Sequence, residues 1–148
     1  MRKTTEKLMA KLPLATGVLT AFFALIYLIF LFLALLGSAE LLLRVLLFSA
    51  IPFLVVSLGR ALIPSPRPKS AGATSRRAQH SFPSRHAFSA FFIAMMAFQF
   101  STVAAYLLLP LSILLSVLRV LLGEHHPRDV IAGAFIGVLS GIFFLTLV

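Results

Sequence analysis

The sequence predicts an all-α integral membrane protein, a bundle of about five transmembrane helices. Of its 148 residues, 60% are hydrophobic and only 11% are charged, and the mean hydropathy is +1.06. A soluble domain carries about 25% charged residues to cover its surface, so this composition excludes a water-soluble globular protein. The apolar residues also fall in runs long enough to cross a bilayer core, which takes about 20 helical residues.

The first two spans and a helical hairpin follow from these runs. Pro13–Leu36 supplies the first span, residues 37–40 a tight turn, and Leu41–Gly59 the second span. Residues 87–118 carry no charge, but a single helix of that length would measure about 48 Å, too long for one crossing. We therefore expect a hairpin that turns near residues 99–102, the most polar point of the run.

The last predicted span, Val130–Val148, carries glycines at positions 133, 137 and 141. Small residues at four-residue spacing lie on one helix face and let helices pack closely. The pattern predicts a packing surface without a catalytic role. The partner helix could belong to the same chain or to a second copy, so the oligomeric state stays open.

The chain is expected to form a single membrane-embedded domain, residues 1–148. Residues 1–11 form a basic segment that lies on the lipid interface or in solvent. Residues 60–85 and 119–129 are polar loops, and with five spans they open on the same side of the membrane. The first loop is marked by prolines at positions 64, 66 and 68.

The composition also limits the binding partners and the kinds of site that the chain can have. The chain has no cysteine, which excludes a disulfide framework, a thiol nucleophile and a cysteine-ligated zinc site. The 13 Lys and Arg against four Asp and Glu give a net charge of +9, which in a soluble protein would suggest nucleic acid. The apolar runs argue against nucleic acid and favour the bilayer as the partner.

Most of the cations collect in the two loops, where few carboxylates are available to neutralise them. The planar forks of Arg60, Arg67 and Arg119 fit phosphate oxygens. The missing counter-ion is therefore expected from outside, and a phosphate is the simplest candidate. Snorkelling at the lipid interface is the alternative; it explains Arg76 and Arg77 well but not the spacing of the others.

The same loops contain residues suited to phosphoryl transfer. Ser84 is a plausible N-cap, and the free N–H groups of the following helical turn would point at an anion. His125 and Asp129 are spaced i, i+4, so that the carboxylate could fix the imidazole tautomer and leave the other nitrogen as nucleophile. His86 could protonate a leaving alkoxide. Such a set can transfer a phosphoryl group through a phosphohistidine.

These residues resemble the motifs of the PAP2 (type 2 phosphatidic acid phosphatase) superfamily, which includes lipid phosphate phosphatases and is related to vanadium haloperoxidases. The family pattern Lys-x6-Arg-Pro is similar to residues 60–68. Pro-Ser-Gly-His is similar to residues 83–86, which read Pro-Ser-Arg-His. Ser-Arg-x5-His-x3-Asp is similar to residues 118–129. The three motifs occur in order and with the family's internal gaps, over about half the chain.

The resemblance implies a role for each matching residue. His125 would be the nucleophile, Asp129 its orienting carboxylate and His86 the general acid. The phosphate would be held by Arg60, Arg67, Ser84, Arg85 (through its backbone N–H) and Arg119. No metal and no cofactor are implied.

Four features depart from the family pattern. Arg60 stands in place of Lys, Arg85 in place of Gly, and Leu118 in place of Ser. The last change deletes one hydroxyl, and losing a neutral hydrogen bond costs about 0.5–1.5 kcal/mol, so activity should weaken rather than vanish. The family also commonly has six spans, whereas this sequence predicts five.

We therefore expect a metal-independent hydrolase of lipid phosphates or diphosphates. Candidate substrates are phosphatidate, phosphatidylglycerol phosphate, polyprenyl phosphates or diphosphates, and a polyprenyl-linked phosphosugar, which the sequence does not rank. One alternative is a catalytically silent PAP2-like protein that binds phospholipid or acts as a scaffold. Another is a zinc site of His125, His126 and Asp129, which is disfavoured because adjacent helical residues point about 100° apart.

Small size predicts a prokaryotic cell membrane, and the charge distribution predicts the orientation. The excess of Lys and Arg on the side of the N-terminus and the two loops places that side in the cytoplasm by the positive-inside rule. Six-span relatives are expected to place the site outside instead. The cations outside the motifs on this side are Arg2, Lys3, Lys7, Lys11, Lys69, Arg76, Arg77 and Arg128, against Arg44 on the other.

Overall fold

The computed structural model describes residues 2–68 and 79–147, with side chains from residue 10 onward in those ranges. Within them the chain forms five α-helices, which confirms the predicted all-α membrane bundle. By length and hydropathy, four of these helices could each cross a membrane, α1 doing so from Ala10. The helices are α1 (Arg2–Gly37), α2 (Ala39–Leu62), α3 (Arg85–Met96), α4 (Thr102–Leu121) and α5 (Pro127–Leu147).

The N-terminal basic segment is continuous with the first span. Backbone helix begins at Arg2 and passes through Pro13, so the boundary expected between residues 11 and 13 is absent. A proline removes one backbone hydrogen bond of a helix, and the apolar residues on its C-terminal side continue the helical pattern regardless. α1 therefore ends only at Gly37, and α2 begins after the single residue Ser38, whose side chain accepts a hydrogen bond from the N–H of Leu41 at 3.0 Å.

The predicted hairpin between the third and fourth helices is confirmed. α3 passes into a short 3-10 turn at Ala97–Gln99, and α4 starts at Thr102. Ser101 caps α4, because its hydroxyl accepts a hydrogen bond from the N–H of Ala104 at 3.3 Å. With only 12 residues, α3 is shorter than the other four helices and than the about 20 residues that cross a bilayer core, so four of the described helices, rather than the five expected, have the length of a span.

The glycine ladder of α5 packs against α3 of the same chain. A Cβ atom added at Gly133 would lie 2.4 Å from the carbonyl oxygen of Ser84, and one at Gly137 would lie 2.5 Å from that of Phe88. The third glycine, one turn further on, would place a Cβ 2.3 Å from the Cβ of Met95. Only glycine permits this approach, and it brings the start of α5 directly against the start of α3.

The core lies along α3, while the other helices present large apolar side chains outward, as expected in lipid. Phe88, Phe92 and Met96 are among the side chains of α3 that are almost fully buried. Phe30 of α1 stacks on Phe100 of the hairpin turn with ring centroids 4.8 Å apart. α3 is therefore the central helix against which the others are positioned.

Both polar loops are shorter than predicted. Arg60 lies in the last turn of α2, which ends at Leu62, and Arg119 lies in the last turn of α4, which ends at Leu121. A cation in the last helical turn interacts favourably with the helix dipole, so a charge does not have to mark the end of a helix. The expected boundaries 60–85 and 119–129 were wrong in this respect, and the second connection comprises only residues 122–126.

Candidate active site

The three motif segments meet at one end of the bundle. The N–H of Ser84 donates to the carbonyl oxygen of Asp129 at 2.9 Å, which joins the start of α3 to the start of α5. The His126 ring Nε2 lies 3.0 Å from the carbonyl oxygen of Pro66, which joins the first loop to the second. The convergence expected from the five-helix topology is therefore present in the structure.

The segment that carries Arg67 is held by a serine pair. The N–H of Ser65 donates to the carbonyl oxygen of Gln79, and the N–H of Ser81 donates to that of Ser65, each at 2.8 Å. The two serine hydroxyls lie 3.0 Å apart, and Arg128 donates to the Ser65 hydroxyl at 3.3 Å. These bonds fix the backbone two residues before Arg67. Lys69, Arg76 and Arg77, which the sequence also assigned to this loop, lie outside the described residues.

His125 and Asp129 are adjacent and almost fully buried. Nδ1 of the imidazole lies 3.6 Å from Oδ2 of the carboxylate. This contact is longer than a hydrogen bond, and catalytic hydrogen bonds are often long in free enzymes. The same Oδ2 accepts a hydrogen bond from the N–H of His126 at 2.9 Å, as a side chain at the third position of a helix does when it closes a capping box. Asp129 is thereby fixed in the first turn of α5, which begins at Pro127.

The environment of His125 favours its neutral form. Burial is the largest effect, and it lowers the pKa of His125 from 6.5 to about 4, with further lowering by the guanidinium of Arg119. Asp129 acts in the opposite direction but does not outweigh them. Among the described residues, neither ring nitrogen of His125 has a hydrogen-bond partner. A neutral imidazole with an available nitrogen is what a nucleophile requires.

Ser84, Arg85 and His86 lie at the start of α3. Ser84 is fully buried and caps the helix, its hydroxyl accepting a hydrogen bond from the N–H of Ala87 at 3.5 Å. Arg85 is exposed and helical, and no non-glycine residue in the described ranges has a positive φ. The change from the family's glycine to Arg85 therefore requires no unusual backbone. His86 is half-buried beside it.

The three arginines expected to hold a phosphate are nearly buried, although they come from three different elements. Arg60, Arg67 and Arg119 are each exposed by less than a tenth. Sequence reasoning missed one residue that contacts two of them, Glu124. Its Oε2 lies 2.6 Å from Nη2 of Arg119 and 3.3 Å from Nη1 of Arg67. The scarcity of carboxylates in these loops was the signal that could have identified Glu124.

The zinc alternative gains no support from the geometry. Because His126 contacts the carbonyl oxygen of Pro66, its ring is used to join two loops. Within the described part of the chain, no three His, Cys, Asp or Glu side chains come together as a metal site. The buried guanidiniums beside His125 would also repel a divalent cation.

A cavity of about 620 Å³ lies between α1, α2 and α3 and reaches the polar end of the bundle. Its walls are mostly apolar, and Arg85 and His86 belong to its lining. The cavity is thus continuous with the candidate site. The apolar part of the lining includes Phe23, Ala50 and Phe92.

A comparison with protein families matches residues 23–148 to the PAP2 superfamily. The chain belongs to the PAP2 superfamily. Among curated proteins, it is 41% identical over 64 residues to the bacitracin transport permease protein BcrC of Bacillus licheniformis. That match covers 43% of this chain and 32% of the relative, so the chain spans about a third of the curated relative it matches. No solved structure matches this chain.

Membership of the PAP2 superfamily supports a phosphatase-type function in general. It also supports the resemblance drawn from the three motifs, because all of them lie inside the matched range. The bacterial membrane relative agrees with a membrane location for this PAP2 protein.

Proposed function

We propose that this PAP2 protein is a metal-independent phosphatase that removes phosphate from a lipid phosphate or diphosphate through a phosphohistidine. One observation carries the proposal. His125, buried against Asp129, lies among three nearly buried arginines and has no hydrogen-bond partner within the described residues. Three nearly buried guanidiniums carry more positive charge than the one carboxylate of Glu124, which contacts two of them, supplies, and an anionic phosphorus centre would add negative charge there.

The positions of the side chains support the following chemistry. Since Asp129 faces Nδ1 of His125, Nε2 is the nitrogen that attacks phosphorus. The new N–P bond forms as the bond between phosphorus and the lipid oxygen breaks, and His86 donates a proton to that oxygen. Water then attacks the phosphohistidine and gives its proton to His86, which releases inorganic phosphate and restores His125. The arginines stabilise the charge on the equatorial oxygens.

The apolar cavity favours a lipid over a soluble phosphate ester. Its walls come from α1, α2 and α3, and its polar end includes His86. A substrate whose phosphorus lies beside His125 would thus have apolar surface next to its leaving group. This requirement is satisfied by phosphatidate, phosphatidylglycerol phosphate, polyprenyl phosphates or diphosphates, and polyprenyl-linked phosphosugars.

The experiment that tests the function is phosphate release by the purified protein from a panel of these lipids. We expect release from at least one lipid phosphate, and a phosphoenzyme that is stable in base and labile in acid. His125→Ala should abolish both. A well-folded protein that binds phospholipid vesicles but releases no phosphate would instead identify a catalytically silent PAP2 protein, the alternative raised by Arg85 and Leu118.

We also propose that the site and the N-terminus face the cytoplasm of a prokaryotic cell. The support is the excess of cations at the site end over the opposite end, where Glu40 and Arg44 pair with each other. Because the chain is free of cysteine, single cysteines report topology directly. Ser75→Cys, in the segment outside the described residues, should resist an impermeant thiol reagent in intact cells, whereas Glu40→Cys should react. The reverse pattern would place the site outside.

A further inference from the structure

Glu124 joins two of the arginines that the proposed function assigns to phosphate. One carboxylate oxygen, Oε2, lies 2.6 Å from Arg119 at the end of α4 and 3.3 Å from Arg67 in the loop after α2. The side chain of Glu124 is 18% exposed, compared with 9% and 8% for the two arginines. Glu124 is therefore the most exposed of these three side chains.

A substrate phosphate would need the same hydrogen-bond donors. Guanidinium groups bind carboxylate and phosphate oxygens through the same N–H fork, and two anions held against one pair of arginines repel each other. The backbone of Glu124 is held at the end of α4, because Gly123 takes a φ of 64° and the N–H of Glu124 donates to the carbonyl oxygen of Arg119 at 3.1 Å. Displacement of the carboxylate therefore requires rotation of the Glu124 side chain alone.

Asp129 cannot take this role. Its Oδ2 accepts a hydrogen bond from the N–H of His126 and contacts His125, so that this oxygen is held by the start of α5. Glu40 lies at the far end of α2 from Arg60. Among the acidic side chains that the structure describes, Glu124 is thus the carboxylate placed to exchange with an incoming anion.

We propose that Glu124 is a displaceable counter-anion that occupies Arg67 and Arg119 between turnovers and leaves them when phosphate binds. This inference rests on the proposed function for the identity of the phosphate site. The carboxylate lowers the affinity of the site for phosphate. After hydrolysis, its return to the two arginines favours release of inorganic phosphate, which three guanidiniums would otherwise retain.

The test measures the equilibrium binding of inorganic phosphate to the detergent-purified protein, together with its inhibition of lipid phosphate hydrolysis. In Glu124→Gln we expect the Kd and the inhibition constant for inorganic phosphate to fall at least fivefold, and KM for the lipid to fall in parallel. The matched control is Glu40→Gln, which removes one negative charge from the opposite end and should leave these constants unchanged. Unchanged or weaker phosphate binding in Glu124→Gln would overturn the proposal, because a carboxylate that only positions the arginines gives that result.

The variant Glu124→Asp distinguishes a carboxylate that phosphate displaces from the arginines from a stationary carboxylate that only repels phosphate. Aspartate keeps the charge but is one methylene shorter, so it should no longer bridge both arginines. Displacement predicts that phosphate binds more tightly to Glu124→Asp than to the wild type, and a Kd equal to that of the wild type would contradict it. This conservative variant also gives a test if Glu124→Gln fails to fold.

The direct binding measurement distinguishes this inference from the proposed function. If the wild type hydrolyses no lipid phosphate but binds phosphate, and both variants bind it more tightly, the phosphatase proposal fails while the role of Glu124 stands. If hydrolysis occurs and neither variant changes the Kd, the role of Glu124 fails alone.

Discussion

The two ends of the helix bundle have the same kind of helix cap but differ in their charged residues. At both ends serines cap helices: Ser38 and Ser101 at one, Ser84 at the other. Among the described residues, the end formed by residues 37–40 and 97–101 has a single charge pair, in which Arg44 contacts Glu40 and also donates to the carbonyl oxygen of Leu147. The site end instead buries three guanidiniums, an imidazole and a carboxylate.

This difference shows that helix termination does not explain the buried charges. Serine caps and short turns end the helices at the Glu40 end with almost no ionisable groups. Removing charges from water is costly even when they are paired, so the site end is maintained at a cost to stability. Such a cost is typical of a functional site.

Removal of the proposed nucleophile should give the largest contrast between the ends. His125→Ala is expected to lower kcat at least about 10³-fold, because a covalent pathway needs its nucleophile. Glu40→Gln, at the other end, should stay within about twofold of the wild type, since an exposed ion pair contributes little. Phosphate release by the two purified variants measures both effects. Comparable losses in both would show that the site has been assigned to the wrong residues.

The glycine ladder of α5 runs between the two ends of the bundle. A substitution within it should have the next largest effect on stability and activity. Gly137→Ala places a Cβ 2.5 Å from the backbone oxygen of Phe88, so α5 must move away from α3. We expect a loss of about 1–3 kcal/mol in unfolding free energy and lower activity, because the same helix contact holds the start of α5, which carries Asp129, against Ser84 at the start of α3.

Gly17→Ala in α1 is the matched control, because its Cβ meets nothing within 4 Å. Replacing a glycine inside a helix by alanine stabilises it by about 0.5–1 kcal/mol. Unfolding of both variants in the same detergent gives the comparison. Equal stability of the two would mean that α3 and α5 do not pack as closely as the structure shows.

Filling the cavity should have a smaller effect that depends on the substrate. Ala50→Phe introduces a ring into the space between α1 and α2. We expect kcat/KM for long-chain lipid phosphates to fall about tenfold, which corresponds to about 1.4 kcal/mol, and that for a short-chain, water-soluble analogue to change little. Ala21→Phe, an exposed position of α1 that does not line the cavity, should leave both unchanged. Equal losses for both chain lengths in Ala50→Phe would exclude the cavity as the site of the tail.

The ionisation of His125 should have the smallest effect on activity near neutrality. Because burial lowers the pKa of His125 to about 4, the imidazole loses its nucleophilic form only when the pH falls through that value. The acid limb of kcat/KM due to His125 should therefore lie near pH 4, well below the ordinary histidine pKa of about 6.5. Two substrates with different phosphate pKa values separate this limb from substrate ionisation. A limb near pH 6.5 shared by both substrates would contradict it.

Much of the fold follows from local properties of the chain. Runs of apolar residues indicated the helices, and Gln99–Thr102 marked the hairpin turn because polar backbone groups and side chains are costly within lipid. The predicted helix ends were less accurate, because the helices that contain Arg60 and Arg119 continue past these residues. A cation near a helix C-terminus can lie in the last helical turn or just after it, so its position in the sequence does not show where the helix ends.

By itself, the sequence determined the helical membrane class, the family motifs and the glycine ladder, because each is a pattern of spacing along one chain. Only the tertiary structure decided that the ladder packs within the chain, that Glu124 bridges Arg67 and Arg119, and that an apolar cavity reaches His86. These features depend on distances between segments far apart in sequence. Such distances are set by how the helices pack, and no local spacing contains them.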